Sequence, residues 1–547
     1  MRTRIAVFLI TLSGLILEVG LTRIYSASIW YHFAFVAISV ALLGWGLGGF
    51  TVHLWKQAGG RRQTAGAGKA EGGKQKAVSS APSPNPLPEV EGQSGRDGRV
   101  PRTLSIQMAA VTTLLYAGAI PLCLWLLVRY PFEMDRLPLY FLAPLLPFFL
   151  AGMALSIVFD IHRAVAGSLY FWDLIGAALG AVLVTLLLHL LGGEAALLVA
   201  TIAPAIAAGL LASGARSQVP GASESHEKSG QGARAPSVLP RVVQVAAALG
   251  VVLAIIAAVS AVKYDAFRVK PGRTKAMRNQ MDAAPGARIV QTGWNSYSRI
   301  DCVEGLPNSF ARLYIDSDAW TGIRGWDGKL ESVQDMKGSY RALPFRLTPD
   351  AETLIIGPGG GPDVVAALAS GSKKVTAVEM NPLMLKFVRN YGARAGNLYD
   401  RPDVETIQSE GRNFISRTDK KFDIIFMGFV DSWASVASGG LSLSENYLYT
   451  AEAMRAFYDH LSDDGIMVVL RWEMDIPRLT SNAVATLGAD EAAKRVVVLM
   501  EKQAAPNDFP QMLFMLRKRP FTEAELKEIR ENWTQANAVV APGGTAP

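Results

Sequence analysis

The sequence predicts a two-part chain: an N-terminal multi-pass α-helical membrane domain over 1–262, then a C-terminal α/β domain with a doubly wound sheet, preceded by a small β-rich domain. Three observations predict it. Half of the 547 residues are hydrophobic and only 18% are charged, with a mean hydropathy of +0.22, too apolar a balance for a soluble chain of this size. Apolar windows of about 20 residues recur through the first half, each long enough to cross a hydrocarbon core of roughly 30 Å. From 352 onward, short apolar runs alternate with helical patterns, and a glycine-rich turn follows the first of them.

The apolar windows fall near 4–27, 31–55, 104–130, 138–160, 166–192, 194–213 and 241–262, which makes seven spans. The first exceeds the apolar core of a signal peptide and a second follows almost directly, so it reads as a retained helix. The segments 56–102 and 214–240 are rich in Gly, Ser, Pro and charge without apolar periodicity, and are expected to be disordered linkers. Gly44 with Gly48, and Gly176 with Gly180, have the four-residue spacing that lets helices approach closely. Glu18, Arg23 and Asp173 lie inside spans and Asp160 near an edge; an interhelical ion pair is the first expectation for such groups, and a polar intramembrane site the second.

The net charge of +7 does not point to nucleic acid, because the basic residues cluster in linkers and flanks, where orientation in a bilayer accounts for them. By that bias the linkers are cytoplasmic, and seven spans then carry everything after Tyr264 to the opposite side. Lys263, Arg268, Lys270, Arg273, Lys275 and Arg278 favour the inside instead, which requires one span, the marginal sixth, to be re-entrant. The side of the C-terminal domain stays open.

Cys123 and Cys302 cannot make a disulfide framework, and the C-terminal half holds one histidine, His460, and one cysteine. No metal site is therefore expected there, and His460 reads as a cation near a helix C-terminus, not as the base of a nucleophile.

The C-terminal half begins with "GARIVQTGWNSYSRIDCVEG" and "FARLYIDSDAWTGIRGW", strands with Gly and Asn turns forming a small domain over 285–345. In the α/β domain over 346–520, the strand "TLIIG" is followed by Gly357, Gly359 and Gly361, a helix opening on Pro362, and the strand "KVTAVE". Alternate glycines let a ligand approach the backbone, with helix amides facing it. Glu379, 22 residues after Gly357, ends the second strand, where a carboxylate can accept two hydrogen bonds from ribose hydroxyls. The strands "VETIQ", "FDIIFMG" and "GIMVVLRW" continue the alternation, "RVVVLME" and "QMLFMLRK" are expected to close the sheet as a hairpin-like antiparallel edge, and strand ends carrying "SEGRN" and "GFVDSW" converge on one crevice. The remainder, 521–547, reads as a helix with a capping box from Thr522 to Glu525 and a tail that frays.

In the order "LIIGPGGG", "AVEMNP", "EGRNF", "FDIIF" and "LYTAEAMRAFYDHLSDDGIMVV", the stretch from 294 to 472 resembles the spermidine synthase-like (polyamine aminopropyltransferase-like) branch of class I S-adenosyl-type transferases, with their Rossmann-type fold. "LSGLILEVGLTRIYS", "ALLGWGLGGF" and "YFWDLIGAALGA" look like the membrane region of bacterial membrane-fused members, which implies a multi-pass plasma (inner) membrane protein. The resemblance implies that Gly357, Gly359 and Gly361 border the amino-acid or aminopropyl part of S-adenosylmethionine or its decarboxylated form. It implies that Glu379 holds the ribose, and that Glu410 with Gly411 flank the adenine. The small β-domain would form a lid over the acceptor.

Departures from the family pattern are Gly360 and Gly428, where spermidine synthases carry aspartates, Ser298 where they carry a glutamine, and Tyr340-Arg341-Ala342 where they carry Tyr-His-Glu. These make a putrescine-type acceptor doubtful, since ammonium groups need carboxylates to offset desolvation. Asp431 is the candidate general base, with capping of the following helix as its plain alternative; Tyr447 and Trp433 are candidates to wall the site of a small-molecule acceptor or simply to pack. The expected function is aminopropyl or methyl transfer, with a non-catalytic membrane scaffold or transporter-like protein holding a degenerate nucleoside-binding domain as the alternative. Homo-oligomerisation is left open.

Overall fold

The computed structural model describes residues 1–29, 33–67, 102–216, 238–430, 447–501, 510–532, 536–542 and 544–546. The chain divides into two compact units, one made of Met1–Ile29 and Phe33–Gly272, the other running from Arg273.

Among the described residues, eight α-helices build the first unit: α1 (Arg2–Ser28), α2 (Ala34–Ala67), α3 (Arg102–Arg129), α4 (Leu137–Ile161), α5 (Ala166–Leu191), α6 (Gly193–Ala200), α7 (Ile202–Arg216) and α8 (Leu239–Tyr264). They supply seven stretches long and apolar enough to cross a membrane, the sixth being Gly193–Gly214, formed by α6 and α7 across a break at Thr201. Helix α2 runs into the stretch expected as linker, because the Lys, Gln, Arg and Ala there are strong helix formers. Most of both linkers lies outside the described residues.

Apolar residues surround these helices, so packing is decided by where backbones can approach. Gly44, Gly48 and Gly152 form the seam between α2 and α4: a Cβ on Gly48 would lie 2.3 Å from the Phe149 carbonyl, and one on Gly152 would lie 2.5 Å from that of Trp45. Gly176 and Gly180 do the same for α5 against α1, with Cβ positions 2.4 Å from the Phe8 carbonyl and 2.5 Å from that of Leu12. Both expected glycine pairs therefore sit at helix contacts. Hydrogen bonds supplement them: Thr11 Oγ1 donates to the Asp173 carbonyl at 3.1 Å, and Tyr116 donates to Ser13, which donates to the Ala200 carbonyl at 2.8 Å. Asp160 pairs with Lys56 from α2 and with Arg163.

The second unit opens with a short helix, Ala276–Asp282, and an antiparallel sheet in simple order: β1 (Arg288–Trp294), β2 (Arg299–Glu304), β3 (Ala311–Ile315) and β4 (Ala319–Ile323). Asn295 makes the first turn, its Oδ1 accepting from the Tyr297 and Ser298 amides. Ile300, Leu313 and Ile323 from this sheet share one core with Ile355 and Phe426 of the large sheet and with Val364 of the helix Pro362–Ala369.

The large sheet contains β5 (Glu352–Ile356), β6 (Lys374–Glu379), β7 (Val404–Gln408), β8 (Phe422–Gly428), β9 (Leu461–Trp472), β10 (Val496–Glu501), β11 (Gln511–Arg517), β12 (Ala536–Ala541) and β13 (Gly544–Ala546), in the spatial order 7-6-5-8-9-11-10-12-13. Strands β5 to β9 are mutually parallel. Side chains alternate between two cores: Leu354 and Ile356 face one with Ile425 and Met427, while Ile355 faces the other with Ile424 and Phe426. Burial on both faces explains why these strands read as unbroken apolar runs.

At the far edge, β10 and β11 pair antiparallel as the expected hairpin, with β11 inside between β9 and β10, but β10 is not the last strand. Met512 to Leu516 are buried without a break, a pattern that only an interior strand satisfies. The tail expected to fray instead pairs Val498 to Glu501 of β10 through β12, and β13 folds back on β12, covering an edge that would otherwise stand open. The capping box forms as expected, Thr522 N donating to Glu525 Oε2 at 2.8 Å and Glu525 N to Thr522 Oγ1 at 3.3 Å, ahead of the helix Glu523–Asn532. His460 places its two ring nitrogens against the Ala456 and Thr418 carbonyls, so it joins a helix end to a loop.

The glycine seams predict that Gly48→Leu and Gly176→Leu each destabilise the first unit by roughly 1–3 kcal/mol through forced helix separation. Gly46→Leu, whose Cβ would meet nothing within 4 Å, leaves it unchanged. Thermal unfolding of the detergent-solubilised full chain checks all three.

Candidate functional site

The order of strands reverses at β5, between β6 on one side and β8 on the other, and an open α/β sheet binds ligands at the carboxyl ends beside such a point. The chain leaves β5 at Gly357, whose amide donates to the Val378 carbonyl at 2.8 Å, and turns through Gly357, Gly359 and Gly361, all at positive φ (65°, 54° and 89°). At Gly361 the left-handed conformation delivers the chain into the helix Pro362–Ala369. Gly360 has ordinary φ but no room: a Cβ would lie 2.2 Å from the Gly322 carbonyl of β4. The loop is thus pressed against the small sheet, with the Gly360 amide 3.3 Å from Thr321 Oγ1, and held from behind by Tyr399, which donates to the Gly359 carbonyl at 2.7 Å.

Glu379 ends β6 with its carboxylate buried. Oε2 accepts from the Gly359 amide at 3.1 Å and Oε1 from the Asn381 amide at 2.8 Å, so one carboxylate ties the glycine turn to the next helix. Burial pushes its pKa above the ordinary glutamate value, opposed by the backbone amides of Asn381, Gly359 and Met380. Each oxygen keeps one lone-pair direction beyond its amide, which is the capacity two neighbouring hydroxyls require.

Asn381 then caps the helix Pro382–Arg389, its Oδ1 accepting from the Leu383 amide at 3.1 Å. The same side chain meets Asn295 Nδ2 at 2.7 Å and Ser298 Oγ at 3.0 Å, which fixes the first turn of the small sheet beside Glu379. Sequence reasoning passed over Asn381 and Asn295. The Asn-Pro step is a helix-start signal, but the Asn295 contact spans 86 residues and left no local trace.

Glu410 follows β7 and caps the helix Gly411–Ile415, accepting from the Arg412 amide at 2.9 Å and the Asn413 amide at 2.7 Å. The Ser409 amide donates to the Glu379 carbonyl at 3.2 Å, so the ends of β6 and β7 lie together. Gly411 brings its helix onto β5, its Cβ position being 2.4 Å from Ile356.

At the end of β8, Phe429 has φ of 48°, a strained conformation for a bulky residue, and packs tilted against Trp472 with ring centroids 4.9 Å apart. Gly428 just before it has ordinary φ, and a Cβ there would stand 2.6 Å from Asp363 Oδ2. Asp363 is buried in the first turn after the glycine loop, and its Oδ1 binds Arg341 at 2.8 Å. Asp431 and Trp433 lie outside the described residues; Tyr447 begins the short 3₁₀ turn Tyr447–Tyr449, and its side chain is likewise outside them. Among the described residues no cluster of three or more His, Cys, Asp or Glu side chains is placed to hold a metal ion.

No protein-family model matches the chain. It is 29% identical over 181 residues to a polyamine aminopropyltransferase of Thermotoga neapolitana, covering 33% of this chain and 56% of that one. It is 30% identical over 148 residues to a polyamine aminopropyltransferase of Thermococcus onnurineus, covering 26% and 49%. The chain spans about half the length of the curated relatives it matches. The spermidine synthase structure from Thermotoga maritima aligns with 20% identity and a TM-score of 0.34, over 45% of this chain and 78% of that one. Over these lengths the chain is similar to polyamine aminopropyltransferases.

Proposed function

We propose that the chain is a membrane-anchored group transferase that binds an S-adenosyl-type donor at the carboxyl ends of β5 and β6 and moves its aminopropyl or methyl group to a small-molecule acceptor. The observation that carries this reading is the junction of Glu379 with the glycine turn, where a buried carboxylate with spare acceptor capacity binds the turn's own backbone amide. Gly357, Gly359 and Gly361 would border the donor's amino-acid or aminopropyl chain, Glu379 its ribose, and Glu410 with Gly411 its adenine. When bound, the sulfonium supplies an activated carbon: the acceptor's lone pair forms the new bond, the carbon–sulfur bond breaks, and a neutral thioether leaves. Asp431 is proposed as the base that takes the acceptor's proton, and Tyr447 as part of the acceptor wall.

The membrane half of the proposal rests on apolar surface. Leu42, Leu190, Val182 and Val245 are 66%, 63%, 70% and 70% exposed on α2, α5 and α8, a cost that lipid contact removes. This exposed surface supports multi-pass insertion in a bacterial-type plasma membrane. Gly360 and Gly428 favour a second reading, a membrane scaffold whose C-terminal unit binds a nucleoside without transfer.

Titration calorimetry of the full chain in detergent with S-adenosylmethionine, its decarboxylated form and methylthioadenosine tests the common core of both readings; no heat with any of the three overturns it. Incubation with decarboxylated and methyl-labelled donors in a membrane extract then separates transfer from mere binding. Glu379→Gln sets an amide N–H against the backbone donors at Gly359 or Asn381 and is expected to weaken methylthioadenosine binding about tenfold or more. Because burial raises the Glu379 pKa, the carboxylate protonates at a pH above the ordinary glutamate value of 4.5. Ribose binding needs the ionised form, so nucleoside affinity is full above that raised value and falls as pH drops through it. Calorimetry over a pH series reads the midpoint, and a pH-independent affinity contradicts the assignment.

A further inference from the structure

We infer that the first unit holds the phosphate headgroup of an anionic phospholipid in a cavity where ends of α1, α3, α4 and α7 meet. The inference stands apart from the donor site and rests only on the membrane half of the proposal. The cavity has a volume of about 40 Å³. A single water needs roughly 10–15 Å³ of such space, so about three waters or one phosphate group fit, and a whole lipid does not. Its lining has two characters: Arg2, Thr3 and His162 supply polar atoms, while Ile106, Val158 and Leu210 make apolar wall. His162 is fixed there by its own helix, because the Val158 carbonyl 3.1 Å from Nδ1 can only accept, so that Nδ1 donates.

Charge decides what kind of occupant fits. Arg4 follows Arg2 on α1, and Lys56 and Arg163 lie at the same end of the bundle, where both pair with Asp160. That pairing sets one carboxylate between two cations, so the described side chains around the cavity stay net positive. A cation would be repelled, and a neutral alkyl chain would leave Arg2 and Thr3 unused. A free phosphate would find donors on one side and apolar wall on the other, where its lost hydration goes uncompensated. A phospholipid matches both: its phosphate meets Arg2, Thr3 and His162, its glycerol carbons meet Ile106 and Leu210, and its acyl chains run outside along the apolar helix surface. Basic pockets between membrane-spanning helices take anionic lipid heads in this way.

The test uses the full chain in neutral detergent, with dioleoylphosphatidylglycerol, dioleoylphosphatidylcholine and inorganic phosphate, read by native mass spectrometry and thermal unfolding. The native chain is expected to bind the phosphatidylglycerol about tenfold or more tightly than the phosphatidylcholine. Arg2→Gln should weaken phosphatidylglycerol binding about fivefold, the worth of one arginine beside an anionic head. Loose attraction to an anionic surface would weaken too, so the deciding variant fills the space and leaves the charges alone. Gly214 lines the cavity and a Cβ on it would meet nothing within 4 Å, so Gly214→Trp enters the space without a backbone clash. It should abolish the preference for phosphatidylglycerol, whereas Gly118→Trp, equally unhindered and not part of the lining, should keep it. Should Gly214→Trp fail to fold, Thr3→Leu at a half-buried lining position takes its place, with the same loss expected. Equal binding of the two lipids, or a preference that survives the filled cavity, overturns the inference. Saturable phosphate binding that Gly214→Trp removes assigns the cavity to a free anion and overturns the lipid. Alkaline carbonate extraction of membranes separates this failure from that of the membrane reading: a chain released by carbonate sinks both, while a retained chain without lipid preference sinks this inference alone.

Discussion

One carboxylate organises the C-terminal unit. Glu379 is carried to the end of β6 by a strand buried on both faces, and its two oxygens satisfy the amides of Gly359 and Asn381. A buried carboxylate without such donors would be costly, and buried amides without an acceptor equally so; each solves the other's problem. Removing the carboxylate would leave two orphaned amides, loosen the turn after β5 and free the cap of the next helix. The geometry of the glycine turn and the integrity of the strand–turn–helix unit thus rest on the same pair of hydrogen bonds.

The small sheet is part of that arrangement. Asn381 is bonded to Asn295 and Ser298, and the Gly360 amide faces Thr321, so β1 to β4 are tied to both the glycine turn and the carboxylate. Gly360 follows from this closeness: a side chain there would run into the backbone of β4. A residue that looks like a lost charge in the sequence is, in the fold, the consequence of an approach between two sheets.

What was legible in the sequence was local. The seven apolar spans, the glycine pairs on α2 and α5, the turn after β5, Glu379 and the Thr522–Glu525 box all express themselves within a few residues of chain, through periodicity or fixed offsets. What escaped was set by distance. Arg341 meets Asp363 across 22 residues, Asn295 meets Asn381 across 86, and β11 finds its place between two strands only when the whole sheet is assembled. The unbroken apolar run of β11 did hold the clue that it lies inside, since an edge strand would alternate. The tail was misjudged because its pairing depends on an edge offered by β10, which no local pattern announces.

The charges along the crevice have a consequence for turnover under the proposed reading. Glu379 is a buried carboxylate, while Asp363 is paired with Arg341. A sulfonium donor is attracted to such a site, and the thioether left after transfer is not, because the charge has departed with the group that moved. Since electrostatic attraction is stronger at a buried position than in water, the site holds donor more firmly than product.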